Sequence, residues 1–355
     1  MTVTRGNSST QLADATERLE HYRGRRVMIT GGLGFIGSTL ARRLVDLGAD
    51  VLLVDAILAD CGGHFHNISG IENLLTLRIA DVRDTNVMND LVRTQQFIFN
   101  LAGQVSHVDS MRDPQADLSI NCQSHLSLLE ACRYHNPEAK IVYASTRQVY
   151  GHPDTLPVTE DHSVQPIDVN GINKAAGEQY HRAYSRAYGL KSVSLRLTNV
   201  YGPRQLIRHN RQGFIGWFIG QAVQQAALCV YGDGTQFRDF VYVDDAADAF
   251  LRLAADDSWD GDVFNVGGDE PIRHRELAAL LVDVAGGGHV EFVAWPADRK
   301  AIDVGSVYVD STKLREKTGW RPTTGLREGL TRTVAFYRDH LGVYLNAQVQ
   351  DDDRR

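Results

Sequence analysis

The chain has 355 residues, 43% of them hydrophobic and 23% charged, and it carries a formal net charge of −7. This balance is typical of a globular protein, and the length allows one large α/β domain with a smaller lobe. The negative charge argues against a nucleic-acid partner, and no apolar run approaches the roughly 20 residues that cross a bilayer. The four cysteines lack CxxC and metal spacing, and the N-terminus lacks the apolar centre of a secretory signal. We therefore expect a cytoplasmic protein without a metal site or a membrane partner.

Short apolar runs alternate with longer amphipathic segments through the first 200 residues. Runs rich in Val, Ile and Leu are typical of strands buried on both faces, and the alternation predicts a parallel sheet with helices between its strands. The predicted fold class is α/β, a Rossmann-type doubly wound parallel sheet. The predicted strands are residues 27–30, 51–55, 75–81, 97–102, 141–145 and 192–198, and the predicted helices are residues 35–48, 86–93, 115–134 and 174–188.

The first strand runs directly into a glycine-rich turn and a helix, in the segment RRVMITGGLGFIGSTLARRLVDLGADVLLVDA. Gly31, Gly34 and Gly37 are spaced GxxGxxG, and glycine is needed where the backbone approaches a pyrophosphate and where the helix packs close on the strand. Amides at the start of the helix then face the anion. Asp55 ends the next strand, where its carboxylate accepts hydrogen bonds from a ribose and repels a 2′-phosphate. The predicted cofactor is therefore NAD rather than NADP.

The alternation of strand and helix patterns ends near residue 200, where Gly and Pro become more frequent and Arg and aromatic residues cluster. We expect a flexible tail at residues 1–22, an NAD-binding domain at 23–200, and a smaller mixed α/β lobe that binds the substrate at 201–345. A helix near residues 244–257 is expected to return to the first domain, and residues 346–355 to form a disordered tail.

Motifs along most of the chain resemble those of one family. TGGLGFIG, DVRD, NLAG, STRQVYG, NGINK, LRLTNVYGPRQ and GDGTQFRDFVYVDD occur in this order between residues 30 and 245. The chain resembles the extended short-chain dehydrogenases/reductases that act as NAD-dependent nucleotide-sugar epimerases and dehydratases, from residue 25 to about residue 340. The resemblance implies a nucleotide-sugar substrate and a homodimer formed through the helices at 115–134 and 174–188.

The motifs also assign binding residues. The residues expected to hold NAD are Gly31, Gly34, Phe35, Ile36, Gly37, Asp55, Asp81, Val82, Leu101, Ala102, Gly103 and Lys174. The residues expected at the substrate are His107, Arg147, Gln148, Asn199, Arg204, Arg211, Arg238 and Arg299. Among these, Asn199, Arg238 and Arg299 resemble family contacts to the sugar-nucleotide phosphates, and Arg–phosphate bonds suit a pyrophosphate.

The catalytic positions match the family except at one point. Thr146 occupies the position of the hydroxyl residue that contacts the sugar oxygen, and Lys174 matches the lysine that assists a tyrosine base four residues before it. That position is Asn170, whose amide cannot act as a base at neutral pH. Three interpretations stay open. Another group, His107, Tyr143 or Tyr150, takes the proton; Lys174 itself is the base; or the protein binds NAD and a nucleotide sugar without efficient turnover.

Two further residues bear on the reaction. In the 4,6-dehydratases that the chain resembles, Asp and Glu follow the hydroxyl residue, whereas here Arg147 and Gln148 do. Neither exchanges a proton readily, so dehydration is disfavoured, and Arg147 suits a carboxylate or a phosphate. The predicted function is an NAD-dependent epimerase that transiently oxidises carbon 4 of an NDP-hexose. The alternatives are an NDP-sugar 4,6-dehydratase, an NDP-uronate decarboxylase, and a catalytically silent binding protein.

Overall fold

A computed structural model describes residues 21–59 and 61–346. Residues 1–20 of the predicted N-terminal tail and residues 347–355 of the predicted C-terminal tail lie outside the described residues. Tyr22, which the sequence analysis assigned to the tail, is instead fully buried. Its hydroxyl donates to the carbonyl of Leu251 at 2.6 Å, so the tail prediction is wrong at this residue, which packs in the core. In the part of the chain that is described, no helix is long and apolar enough to cross a membrane.

Thirteen strands are found in the described residues, and seven of them form one parallel sheet. The order in this sheet is β11-β6-β5-β4-β1-β2-β3, which confirms the Rossmann-type prediction. The strands are β1 Arg26–Thr30, β2 Asp50–Asp55, β3 Thr76–Ile79, β4 Phe97–Asn100, β5 Lys140–Thr146, β6 Ser192–Leu197, β7 Asn199–Tyr201, β8 Ala227–Tyr231, β9 Phe237–Arg238, β10 Phe240–Tyr242, β11 Val263–Val266, β12 Ile272–Arg273 and β13 His289–Val293.

Helices cover both faces of this sheet. Successive side chains of a strand point to opposite faces, so Val27 and Ile29 pack in one core and Met28 in the other. The α-helices are α1 Phe35–Asp46, α2 Thr85–Leu91, α3 His107–Arg112, α4 Pro114–Leu118, α5 Ser124–His135, α6 Val169–Tyr188, α7 Phe214–Val223, α8 Val243–Ala254, α9 His274–Ala285, α10 Ala297–Lys300, α11 Thr312–Thr318 and α12 Leu326–Leu345. α1 and α8 contribute to the first core, and α2 and α5 to the second.

The smaller lobe has its own core and its own short sheets. β8 pairs in parallel with β13, and β9 pairs antiparallel with β12. Buried side chains of α7, α9 and α12 form one hydrophobic cluster there. Both α8 and β11 leave this lobe and join the larger domain. A returning helix near residues 244–257 was predicted from the sequence, whereas the seventh strand was not.

Two helices near the site differ from the sequence expectation. The helix expected at 115–134 is three pieces, because a π-helical turn at Ser119–Gln123 separates α4 from α5. The helix expected to start at residue 174 begins at Val169. Asp168 caps it by accepting a hydrogen bond from the amide of Gly171 at 2.6 Å, as a side chain at a helix N-cap does. Lys174 therefore lies in the second turn of α6, where its position is fixed by the helix.

Candidate active site

A cavity of about 350 Å³ lies beyond the carboxyl ends of the parallel strands, where ligands bind in sheets of this type. The structure brings together there all the residues predicted for NAD and many of those predicted for catalysis and substrate. Its lining includes Gly31, Gly34, Phe35, Ile36, Gly37, Asp55, Asp81, Val82, Leu101, Ala102, Gly103, His107, Thr146, Arg147, Gln148, Asn170, Lys174 and Asn199.

The glycine-rich turn is built for close approach. Gly31 has φ 69°, in the left-handed region, and its amide donates to the carbonyl of Val54 at 2.8 Å. A Cβ on Gly37 would overlap the carbonyl oxygen of Gly31, so only glycine lets α1 start this close to the turn. Gly34 caps α1 without a side-chain hydrogen bond, which leaves the helix amides available to an anion. These features fit the pyrophosphate of NAD.

Asp55, the last residue of β2, lies next to the glycine-rich turn. Its carboxylate accepts hydrogen bonds from the amides of Leu33 at 3.0 Å and Ile57 at 2.9 Å. Burial raises the pKa of Asp55, although both hydrogen bonds oppose the rise. The carboxylate is held by backbone at the edge of the cavity, and its remaining lone pairs can accept from ribose hydroxyls.

Lys174 lines the same cavity. Its Nζ donates to the carbonyl of Ala144 at 3.1 Å, and burial lowers its pKa to about 8 against the attraction of Asp117. A Cβ on Gly103 would lie 3.0 Å from Nζ and 2.8 Å from Oδ1 of Asn121. The glycine therefore leaves room for the ammonium to reach a bound ribose.

Asn170, which the sequence analysis expects at the position of the family's tyrosine, is hydrogen-bonded within the protein. Its Nδ2 donates to the carbonyl of Gln104 at 2.8 Å and to Asp117 at 3.2 Å. Asn173 and Asn121 donate to the same carboxylate at 2.8 and 3.0 Å. The asparagine thus fixes the segment after β4, and its two amide hydrogens are already used. It cannot replace a tyrosine as base.

The two tyrosines considered as bases are outside the cavity lining. Tyr143 is fully buried, stacks on His181 at 4.5 Å, and has a pKa raised well above its ordinary value by burial. The hydroxyl of Tyr150 donates to Asn265 at 2.7 Å and accepts from Arg196 at 2.8 Å. Burial raises the pKa of Tyr150 to about 12, with Arg196 opposing. Both hydroxyls are structural.

A chain of polar contacts links His107, Gln148 and Arg147, which line the cavity, with Asp168. Nδ1 of His107 lies 3.0 Å from Oδ2 of Asp168, and Nε2 of Gln148 donates to the same oxygen at 3.2 Å. Arg147 in turn donates to Oε1 of Gln148 at 2.8 Å. Burial would raise the pKa of Asp168, but the hydrogen bonds from His107, Gly171 and Gln148 lower it. Sequence reasoning missed Asp168, although an Asp just before a helix is a recognisable N-cap signal.

Positive charge accumulates beside the cavity around Arg238. This side chain is buried, and Nη2 lies 3.6 Å from Asp303. Burial and the charge of Arg147 lower the pKa of Arg238 to about 9, while Asp303 and Asp239 oppose the fall. Burial raises the pKa of Asp239 to about 7, although Arg147 opposes the rise. Arg147 and Arg238 therefore lie in a buried region that they share with Asp239 and Asp303.

Four arginines predicted at the substrate are not part of the cavity lining. Arg238 is one of them, because it points from β9 toward Asp303. The other three contact protein partners. Arg204 donates to Thr39 at 3.2 Å, Arg211 to Asp109 at 3.4 Å, and Arg299 to Asn210 at 2.7 Å. In the structure Arg204, Arg211 and Arg299 join the smaller lobe to α1 and α3 or brace its own loops, and their contact with the substrate stays a prediction.

The family model described as "NAD dependent epimerase/dehydratase family" matches residues 27–267, and the chain belongs to this family. The UDP-glucose 4-epimerase of Mycolicibacterium smegmatis is 32% identical over 315 residues, covering 88% of this chain and 99% of that protein. The solved UDP-glucose 4-epimerase of Thermotoga maritima with UDP-glucose has a TM-score of 0.80 and 31% identity, covering 89% and 99% of the two chains.

A relative from the other branch of the family is equally similar in fold. DesIV of Streptomyces venezuelae, a dTDP-glucose 4,6-dehydratase solved with NAD bound, has a TM-score of 0.82 and 28% identity, covering 90% and 98% of the two chains. The protein is therefore an enzyme of the epimerase/dehydratase family, and its cofactor is NAD. Because the chain is similar to both epimerases and dehydratases, the residues of the site must indicate which of the two reactions it catalyses.

Proposed function

We propose that the protein is an NAD-dependent nucleotide-sugar epimerase that transiently oxidises carbon 4 of an NDP-hexose and reduces it from the opposite face. Bound NAD supplies the hydride acceptor and returns the hydride afterwards, so the cycle needs no external oxidant. The chain's own residues bind the nucleotide sugar, orient the hydroxyl at Thr146 and exchange its proton.

The observation that carries this proposal is the Arg147–Gln148 contact in the cavity wall. These residues occupy the positions where the related dehydratases are expected to carry an acid and a base. Here the guanidinium donates to the amide oxygen at 2.8 Å, and the amide donates to Asp168 at 3.2 Å. Neither group exchanges a proton at neutral pH. A reaction that needs no second acid–base pair at carbons 5 and 6 fits this site.

The charges near the cavity support a nucleotide diphosphate as part of the substrate. Burial is the main cause of the lowered pKa of Arg238, and the charge of Arg147 adds to it, so the two guanidinium groups are close enough to interact. A pyrophosphate in the cavity would accept hydrogen bonds from Arg147, which lines it, while Arg238 lies outside the lining and would act on the pyrophosphate through its charge. Asn199, at the start of β7, lines the adjoining wall. We expect Arg238→Met to weaken UDP binding by about tenfold or more while NAD binding is unchanged.

The test is a product screen. The purified protein is incubated with NAD and with UDP-, dTDP-, GDP- and CDP-hexoses in heavy water, and products are separated by chromatography and weighed by mass spectrometry. A new isomer of unchanged mass supports the proposal. Loss of water from a hexose assigns the protein to the dehydratases. Absence of any product, with binding of the same nucleotides measured, favours the silent binding protein.

Arg147 favours a second candidate, an NDP-uronate decarboxylase. Its guanidinium lines the cavity and has five N–H donors, of which Nη1 bonds Gln148, so it can also hold a sugar carboxylate. A nucleotide uronate belongs in the same screen. Loss of carbon dioxide from it, abolished by Arg147→Ala while hexose epimerisation survives, would establish this candidate.

We propose in addition that the enzyme works as a cytoplasmic homodimer. α5 and α6 carry exposed aromatic side chains, Tyr134 at 67% and Tyr188 at 47%, and Ile172 is 51% exposed. Exposed apolar groups of this size on neighbouring helices are typical of a protein interface. Light scattering is expected to give twice the chain mass, and a monomer mass would contradict the dimer.

A further inference from the structure

We infer that His107, oriented by Asp168, is the acid–base group that takes and returns the proton of the oxidised hydroxyl, in place of the family's tyrosine. The inference rests on the proposed function, because it names the residue that completes the same site. It is carried by the placement of a histidine–aspartate pair in the wall of the cavity that also holds Thr146 and Lys174.

The pair has the geometry that orients an imidazole. Oδ2 of Asp168 lies 3.0 Å from Nδ1, and the carboxylate itself is fixed by the amide of Gly171 and by Gln148. Asp168 is 2% exposed, whereas the His107 side chain is 32% exposed on the cavity side. A carboxylate at Nδ1 holds the proton on that nitrogen, so Nε2 carries the free lone pair. Nε2 is thus a proton acceptor on a side chain that lines the cavity.

The step balances without another reactant. The sugar O–H bond breaks and its proton goes to Nε2, giving an imidazolium whose charge Asp168 stabilises. NAD held by the glycine-rich turn and Asp55 would supply the acceptor for the carbon–hydrogen bonding pair as the carbonyl forms. In the return step the carbonyl oxygen takes the proton back from Nε2. An imidazole suits both directions because the same ring nitrogen accepts the proton in one step and donates it in the other.

The other groups considered as base are either buried outside the cavity lining or hydrogen-bonded within the protein. Tyr143 and Tyr150 are buried outside the cavity lining, and the Asn170 amide bonds Gln104 and Asp117. Lys174 donates to the carbonyl of Ala144, and an ammonium has no lone pair until it loses a proton. Its charge beside the cavity stabilises the developing alkoxide instead.

Two substitutions test the pair by activity. His107→Gln keeps a hydrogen-bond donor for Asp168 but cannot titrate, and Asp168→Asn keeps an oxygen for the α6 cap but loses the charge. Each is expected to lower kcat by about 10²- to 10⁴-fold with little change in nucleotide-sugar affinity. The matched controls are His289→Gln, at an exposed histidine paired with Glu291, and Asp84→Asn, at the N-cap of α2. Both controls should keep wild-type kcat.

The pH profile separates the histidine from the lysine. Protonation of the imidazole removes the base, so wild-type kcat should fall toward acid pH, and His107→Gln should lose this acidic limb. Asp168 and Gln148 contact the ring, Arg147 and Lys174 line the same cavity, and Asp109 and Arg112 share α3. None of them changes in His107→Gln. An acidic limb that persists in this variant would assign the ionisation to another group.

A third readout does not depend on turnover. Nitrogen NMR of ¹⁵N-histidine-labelled protein reports which ring nitrogen carries the proton, and the His107 signals are assigned by their absence from His107→Gln. The wild type is expected to show Nδ1 protonated and Nε2 free, and Asp168→Asn to show a mixture of tautomers. The same tautomer mixture in both proteins would overturn the orientation by Asp168.

The outcomes distinguish this inference from the proposed function. Epimerisation by wild type with undiminished kcat in His107→Gln overturns the dyad and leaves the epimerase proposal intact. Loss of water or carbon dioxide, with oxidation still dependent on His107, overturns epimerisation and supports the dyad. If wild type shows neither product nor a change in cofactor absorbance with any sugar in the screen, both are overturned.

Discussion

The buried ammonium of Lys174 makes a specific prediction about stability and pH. Burial lowers its pKa in the folded protein from 10.5 to about 8. In the unfolded chain the group regains its ordinary value, so between these pH values the unfolded state binds more protons, and the free energy of unfolding rises with pH. A fall from 10.5 to about 8 corresponds to about 3 kcal/mol. The cost of the buried charge is fully present below pH of about 8 and is relieved toward pH of about 10.5.

The variant Lys174→Met removes this dependence. Urea unfolding followed by circular dichroism, at about pH 7.5 and about pH 10, gives the difference in unfolding free energy between wild type and variant. From the linkage relation, the difference should move by about 2 kcal/mol in favour of wild type at the higher pH. Lys300→Met, at an exposed lysine on α10, is the control for general effects of removing a lysine. A difference for Lys174→Met that is the same at both pH values would refute the argument from burial.

Three further substitutions, one of them with a matched control, test the roles given to these residues. Gly37→Ala should weaken NAD binding by about tenfold or more in calorimetric titration, because the new methyl overlaps the Gly31 carbonyl. The control Gly342→Ala in α12 meets nothing within 4 Å, and it should stabilise the fold by up to about 1 kcal/mol in thermal melting. Tyr150→Phe should cost about 1–3 kcal/mol in urea unfolding, because it unpairs buried groups, yet leave kcat unchanged. Asp55→Asn should reduce the preference for NAD over NADP in binding assays, since it removes the charge that repels a 2′-phosphate, and an unchanged ratio would contradict the role given to Asp55.

The parallel sheet could be predicted because buried strands leave a strong local signal. Each of the first six strands is a short apolar run flanked by helix or turn residues, so its pattern is readable without knowledge of its neighbours. β11 was missed because Val263–Val266 lies in the glycine-rich later part of the chain and joins the sheet only by pairing with β6. The π-helical turn at Ser119–Gln123 was missed because it changes backbone register without interrupting the apolar pattern.

In the candidate site, too, some features could be predicted from a local sequence signal and others could not. Asp55 was assigned from its place at the end of a strand and Thr146 from a family motif, and both line the cavity because parallel strands present their carboxyl ends at one edge of the sheet. The contact of His107 with Asp168 joins the first residue of α3, which follows β4, to the N-cap of α6, which follows β5, and no local pattern encodes it. The positions of Arg204 and Arg211 depended on the path of a long loop, which composition alone does not determine.

The most direct test of the central claim uses an NDP-hexose carrying deuterium at carbon 4. An epimerase of the proposed kind removes that atom as hydride and returns it to the same carbon, so the epimer should retain the deuterium and take up none from ordinary water. Product with the label retained at carbon 4 and inverted configuration is the result that the structure predicts. Loss of the label to solvent, or its transfer to carbon 6 with loss of water, would contradict epimerisation by transient oxidation.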